Sequence, residues 1–185
     1  PVYAGLGGGT SNSFSIVSHF MNNKLNEKII RIFEKKIGSD FRLFLNKHSF
    51  QQKLKKVFKA KNSINSFILI VFPYINCKTK NIYKMVKNFS LSSGNNYTKN
   101  INRQKFIRIL KNDQNDLQKV VEKKYPKISR LILSIYRQEG CIFSRMTGSG
   151  SACYGVFKSK KTAKIAITKL KRKYPHYWCV ITKTI

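Results

Sequence analysis

Residues 2–14 read VYAGLGGGTSNSF, and the reading of those glycines decides the rest. Pro1, Val2, Tyr3 and Ala4 lead into Gly5, Leu6, Gly7, Gly8 and Gly9, and Thr10 and Ser11 close the stretch. A helical pattern follows at once, with Phe14, Val17, Phe20 and Met21 recurring on one face of a helix predicted over 11–22 and capped by Thr10 or Ser11. Glycines let backbone amides approach an anion closely and adopt positive φ. The N–H groups of a helix starting there point at the same place. The hydroxyls of Thr10 and Ser11 can bond a phosphate or, at Ser11, meet its Mg²⁺. Two well-known phosphate loops fail by spacing. A G-x-G-x-x-G count from Gly5 ends on Thr10, and G-x-x-x-x-G-K-[ST] needs a lysine this loop lacks. The alternative is a flexible linker or tight turn.

A second small-residue loop lies in MTGSGSACYGVF, 146–157, where Gly148, Ser149 and Gly150 link two short apolar segments. Alone, G-S-G is an ordinary hairpin turn; it gains weight as a partner of the first loop. The chain has only seven acids from which to draw a general base. Glu27, Glu34, Glu122 and Glu139 lie among lysines in helical patterns and read as solvated surface, while Asp113 and Asp116 read as helix openers. Asp40, in KKIGSDFRLFL, sits between a glycine turn and an apolar segment, a context that can hold a carboxylate partly buried. The alternative there is a turn or cap aspartate.

Outward from these motifs the pattern predicts helices at 26–37 and 79–87, a strand over Phe67–Phe72 (FILIVF) stopped by Pro73, and a polar loop at 90–102. Helices follow at 103–110, 113–124 and 127–138, strands at 141–145 and 152–157, a helix at 160–173 and a strand at 177–183. The mixture is α+β, with the polar loop as the boundary between lobes 1–90 and 91–185. At 42% hydrophobic residues, a chain of 185 can build a true core. Its longest apolar run is too short to span a bilayer, and no stretch reads as a secretory leader. Cys77, Cys141, Cys153 and Cys179 form no C-x-x-C pair and lie apart from the three histidines, so neither a zinc site nor a disulfide framework is expected; reduced thiols fit a cytoplasmic protein.

The charge is extreme: 37 Lys and Arg against 7 Asp and Glu, a formal +30. Such a balance favours polyanions or an anionic small substrate. The cations are nevertheless spread along the chain, without a nucleic-acid-binding signature. Lys, Asn and Ile are abundant together, as A/T-rich codons would make them. Specific nucleic-acid binding and membrane binding are therefore not expected, although a basic nucleic-acid-binding module stays open as an alternative; the oligomeric state is not written in the pattern.

Three stretches in order, PVYAGLGGGTSNS, GSDFRLFL and MTGSGSACYGVF, resemble the signatures of the galactokinase, homoserine kinase, mevalonate kinase and phosphomevalonate kinase superfamily. Within it they are most similar to the kinases of 4-diphosphocytidyl-2-C-methyl-D-erythritol, with FPYINCKTKNIY and NDLQKVV falling where those enzymes have comparable stretches. The resemblance implies a partial ribosomal S5 domain 2-like lobe followed by a ferredoxin-like lobe. It implies transfer of the γ-phosphoryl of ATP, with Mg²⁺, to the 2-hydroxyl of that cytidine-diphosphate-linked methylerythritol, in the non-mevalonate isoprenoid route. It places Pro1–Ser11 around the ATP phosphates, Asp40 at the catalytic aspartate, Thr79 and Tyr83 on the cytidine side, and Gly148–Gly150 at the edge of the phosphate site. Another substrate within the superfamily is the alternative. Arg42 stands where the superfamily usually has proline. The resemblance also implies a preceding portion carrying a lysine and further substrate contacts, so the chain is expected to be a C-terminal fragment, inactive by itself.

Overall fold

The computed structural model describes residues 1–46, 49–52, 56–59, 66–90 and 102–184. It divides into two compact units, Gly7–Ser63 and the pair of segments Pro1–Leu6 and Ile64–Ile185. The division falls after residues 6 and 63, not at the polar loop. Phe67–Phe72, assigned by sequence to the first lobe, shares a unit with everything after residue 102. The loop itself, at 91–101, lies outside the described residues.

The larger unit is organised by FILIVF. This strand, β3 (Phe67–Phe72), pairs antiparallel with both β5 (Cys153–Phe157) and β6 (Trp178–Lys183), and β4 (Cys141–Met146) pairs with β5. The order β4-β5-β3-β6 follows from two crossovers. One carries α3 (Thr79–Met85), α4 (Arg103–Asn112), α5 (Asp116–Lys124) and α6 (Pro126–Tyr136); the other carries α7 (Lys160–Lys173). With α6 and α7 as its helices, this is the β-α-β-β-α-β ferredoxin-like arrangement, as the resemblance implied.

Side chains alternate along the strand. Leu69 and Val71 enter a core with Val121, Leu131, Ile135, Met146 and Leu170, whereas Phe72 packs on the opposite face with Ala4 and Ala152. Burying a large apolar side chain of this kind contributes about 1.5–3 kcal/mol. It is this packing that makes an isolated apolar hexapeptide a central strand.

The smaller unit holds α1 (Gly8–Phe20), α2 (Glu27–Ile37), a 3-10 helix (Ser39–Leu45) and a hairpin of β1 (Ser49–Gln52) and β2 (Lys56–Lys59). Asn26 caps α2, its side chain accepting from the Ile29 amide at 2.9 Å. The apolar stripe read for α1 is only partly inward: Phe14 and Val17 are half-buried, but Phe20 is 79% exposed.

Candidate active site

α1 starts at Gly8, three residues earlier than its pattern indicated, with Gly7 as the N-cap at φ 68°. No side chain caps this end, so Thr10 and Ser11 are not the caps expected. They lie in the first turn, where the Ser11 amide bonds the Gly7 carbonyl at 3.0 Å. The amides of Gly8, Gly9 and Thr10 thus have no carbonyl of their own helix to bond. A Cβ built on Gly7, Gly8 or Gly9 would meet nothing within 4 Å. Open space over unpaired donors at the positive end of a helix dipole is an anion-binding arrangement.

In the same unit Asp40 is the second residue of the 3-10 helix. It is exposed, not partly buried as its context indicated, and no hydrogen bond or ion pair reaches it among the described residues. Its neighbour supplies the anchorage. Phe41 is fully buried, edge-on to Phe14 of α1 at 5.3 Å and stacked on Phe33 of α2 at 5.4 Å. The carboxylate therefore stands in solvent on backbone pinned from below to both helices.

Arg42 is held from the side. Its Nε donates to Glu34 Oε1 at 2.7 Å and its Nη2 to Glu34 Oε2 at 2.9 Å. Its Nη1 and Nη2 also reach Glu27 Oε2 at 3.0 Å and Oε1 at 2.8 Å. Glu27 and Glu34, read from sequence as solvated surface, are instead two jaws on one guanidinium. Hydrogen bonds from Arg42, then from Arg31, pull the Glu27 carboxyl down to about 2, and Arg42 is held above its ordinary value mainly by Glu34 and then Glu27.

The larger unit gathers the other predicted residues. The Ala152 amide donates to the Ala4 carbonyl at 3.1 Å, and the Thr147 hydroxyl donates to the Gly5 carbonyl at 2.9 Å. A Cβ on Gly5 (φ 71°) would lie 2.5 Å from the Thr147 oxygen, and one on Gly148 (φ 50°) would lie 2.9 Å from the Gly5 oxygen. The start of the first glycine loop thus lies directly on the second, which only two glycines permit. Pro1, Val2, Tyr3 and Leu6 are exposed beside them. Of Gly148, Ser149 and Gly150, only Gly148 is exposed. The Ser149 hydroxyl shares a 2.9 Å hydrogen bond with that of Thr79, and the Ser151 hydroxyl donates to the Ile75 carbonyl. Tyr83, one turn beyond Thr79 on α3, is half-exposed with its ring 6.3 Å from that of Phe89.

Sequence reasoning marks NDLQKVV only as a stretch similar to the family and gives no role to its Asn115 or Gln118, which hold the second loop from behind. The Asn115 amide donates to the Met146 and Gly148 carbonyls at 3.2 and 2.8 Å, while its oxygen accepts from Leu117 at 3.1 Å. Gln118 Oε1 accepts from the Met146 amide at 3.0 Å. The available signal was an asparagine one residue ahead of a helix. Asp113, taken as a helix opener, instead follows the end of α4; Asp116 does begin α5 and binds the Ser90 hydroxyl at 2.7 Å. Burial pushes all four thiols up, Cys141 to about 11, so none is a ready thiolate at neutral pH. Among the described residues no three His, Cys, Asp or Glu converge as a metal site, and no helix is long and apolar enough to cross a membrane.

Residues 97–176 match the family described as GHMP kinases C terminal. In overall fold the chain is similar to a crystal structure of 4-(cytidine 5'-diphospho)-2C-methyl-D-erythritol kinase (TM-score 0.69, 18% identity, 98% of this chain and 67% of that one). It is also similar to homoserine kinase from Cytophaga hutchinsonii (TM-score 0.62, 15% identity, 100% and 67%). The class is thereby fixed: the chain belongs to the galactokinase, homoserine kinase, mevalonate kinase and phosphomevalonate kinase superfamily of small-molecule kinases. Within it, the chain is 38% identical over 191 aligned residues to the 4-diphosphocytidyl-2-C-methyl-D-erythritol kinase of Pelagibacter ubique. That alignment takes in 100% of this chain and 66% of the relative, just under two thirds of its length.

Proposed function

We propose that the full-length protein phosphorylates the 2-hydroxyl of 4-diphosphocytidyl-2-C-methyl-D-erythritol with ATP, a step of non-mevalonate isoprenoid synthesis carried out in the cytoplasm. The support for this substrate is the 38% identity to a relative of that name across the whole chain. The observation that carries the chemistry is the glycine-capped N-terminus of α1, with open space over Gly7, Gly8 and Gly9.

In this reading the ATP phosphates lie over the amides of Gly8, Gly9 and Thr10. Ala4, which is buried, and Gly5, which packs on Thr147 and Gly150, serve as the mount for that loop and not as phosphate contacts. Asp40, unpaired and exposed, accepts the proton of the attacking hydroxyl or aligns it, a role typically contributing about 10²–10⁴-fold. Thr79 and Tyr83 receive the cytidine end, with Tyr83 and Phe89 offering ring faces to the base. Ser149 braces Thr79 and is not itself a phosphate ligand.

The donor set suits a Mg²⁺ that arrives on the nucleotide. Ser11 offers one hydroxyl in the first turn of α1, and no carboxylate cluster stands ready to hold a resident ion among the described residues. Bound there, Mg²⁺ would neutralise charge developing on the phosphate oxygens.

The test is ADP release by the protein from its complete reading frame, given ATP, Mg²⁺ and the cytidine-diphosphate substrate, with ³¹P NMR locating the new phosphate. A monoester on the 2-hydroxyl is expected. Turnover with another alcohol and none with this one would refute the substrate; no ATP turnover with any acceptor alcohol would refute the activity.

A further inference from the structure

The 3-10 helix that carries Asp40 is a weak element. Hydrogen bonds of the 3-10 type are in general less well aligned than α-helical ones, and this helix runs for seven residues, longer than such helices usually persist. Gly38, at φ 138°, joins it to α2 and gives the junction freedom that other residues would not. Asp40 makes no bond of its own that would fix it among the described residues. Phe41 and Phe44 anchor the segment through their rings, both against Phe14 of α1, and the Leu43 carbonyl accepts from the Ser49 hydroxyl at 2.7 Å.

Arg42, beside Asp40, adds a directional restraint to α2. Glu27 and Glu34 are seven residues apart, two turns of α2, and so share a face. One guanidinium bonds both carboxylates, four hydrogen bonds of 2.7 to 3.0 Å, and thereby ties the 3-10 helix to both ends of α2. The side chains of Arg42 and Glu34 are each 19% exposed, so this half of the clasp is shielded from solvent, unlike Glu27 at 53%. A planar fork with fixed donors transmits direction as well as charge.

We infer that Arg42, gripped by Glu34 and Glu27, is a positioning residue for Asp40: it fixes the heading of the 3-10 helix and so the place where the carboxylate meets the acceptor hydroxyl. This inference rests on the reading of Asp40 given above. Misplacing a reacting group by about 1 Å costs up to about 10²-fold in rate. Arg42→Gln in the full-length enzyme is thus expected to lower kcat by about 10- to 100-fold, with KM for ATP unchanged within about twofold. Arg42→Lys, which keeps the charge and loses the fork, is expected to recover only part of it.

The deciding experiment is a cycle with Asp40→Asn. If Arg42 works through Asp40, Arg42→Gln added to Asp40→Asn lowers kcat no further. If it is merely structural, the two losses multiply, and the inference is overturned. A fall in kcat on Asp40→Asn below about threefold would sink the reading of Asp40 itself, a different outcome from failure of the clasp. Should Arg42→Gln not fold, Glu34→Gln keeps the guanidinium and loosens one jaw; it is expected to lower kcat alone by about 3- to 10-fold, again without effect in the Asp40→Asn background. An unchanged kcat for a folded Glu34→Gln overturns the inference as well.

Discussion

Gly5→Ala and Gly8→Ala, three residues apart in one glycine-rich stretch, should behave in opposite ways. At Gly5 alanine must adopt φ 71°, which costs about 1–2 kcal/mol. Its methyl would lie 2.5 Å from the Thr147 oxygen and 2.9 Å from the Gly150 nitrogen and oxygen, all backbone. The Thr147 carbonyl would have to retreat by 0.5–0.9 Å to bring that contact to 3.0–3.4 Å. The same carbonyl accepts the Gly150 amide at 2.9 Å, and the Thr147 hydroxyl holds the Gly5 carbonyl at 2.9 Å. Losing both bonds costs about 1 kcal/mol each, for a total near 3–4 kcal/mol. For a protein of this size that lowers Tm by roughly 6–16 °C. Gly8 is helical, and a methyl there meets nothing. Alanine should leave stability unchanged or raise it by up to about 1 kcal/mol, while weakening ATP binding about tenfold or more because the methyl enters the space assigned to phosphate. Urea unfolding and calorimetric ATP titration of the two full-length variants read both quantities. A Gly5→Ala protein melting within about 2 °C of the parent would refute the stated contact between the loops. Unchanged ATP affinity in Gly8→Ala would remove the phosphates from α1.

Phe41→Ala should destabilise by about 3–5 kcal/mol, because it empties a fully buried site between Phe14 and Phe33; a urea midpoint unchanged from the parent would show that the ring is not the anchor. Asn115→Ala removes the α5 cap and two bonds to the second glycine loop, for about 1–3 kcal/mol, and hydrogen exchange should quicken at residues 147–151; unchanged exchange there would contradict the brace. Glu27, depressed from 4.5 to about 2 in the folded protein, adds stability that is fully present above 4.5 and is lost as pH falls through the interval down to about 2. Carboxyl NMR titration should therefore place Glu27 well below 4.5 in the parent and near 4.5 once both Arg42 and Arg31 are glutamine; a normal value in the parent would mean the jaw is open in solution. Binding to DNA or RNA should be weak, indifferent to sequence and steeply reduced by salt in fluorescence anisotropy. Tight binding to one defined sequence at physiological salt would show that the +30 charge serves a dedicated nucleic-acid function.

The sequence announced what local physics determines. FILIVF before Pro73 and the patterns over 26–37 and 160–173 carry their own strand or helix signal, and these elements stand where the pattern puts them to within a residue; the caps Asn26 and Ser159 came only with the structure. The β1–β2 hairpin was missed because SFQQ and KVFK are short segments without a clear alternation, and cross-strand pairing decides such strands. The start of α1 was misplaced because Ser and Thr are ordinary caps, whereas here a left-handed Gly7 takes that position. At the candidate site, the glycine loops and Asp40 could be named from residue type and context. The exposure of Asp40 could not, since it depends on Phe41 being the residue that turns inward. The jaws on Arg42 were hidden by abundant lysines near Glu27 and Glu34, while their partner lies 15 and 8 residues away in the chain.

The seating of Gly5 on Thr147 also sets a timetable. These partners are separated by 142 positions, and Ala4 must likewise wait for Ala152. At about 5–20 residues per second, a ribosome needs roughly 7–30 s to make the second of each pair after the first. Through that interval the start of the glycine loop has no surface to rest on, however early α1 coils. Residues 4 and 5 therefore reach their native seat only when the ferredoxin-like sheet is nearly complete, so residues made well ahead of that sheet are among the last to find their partners.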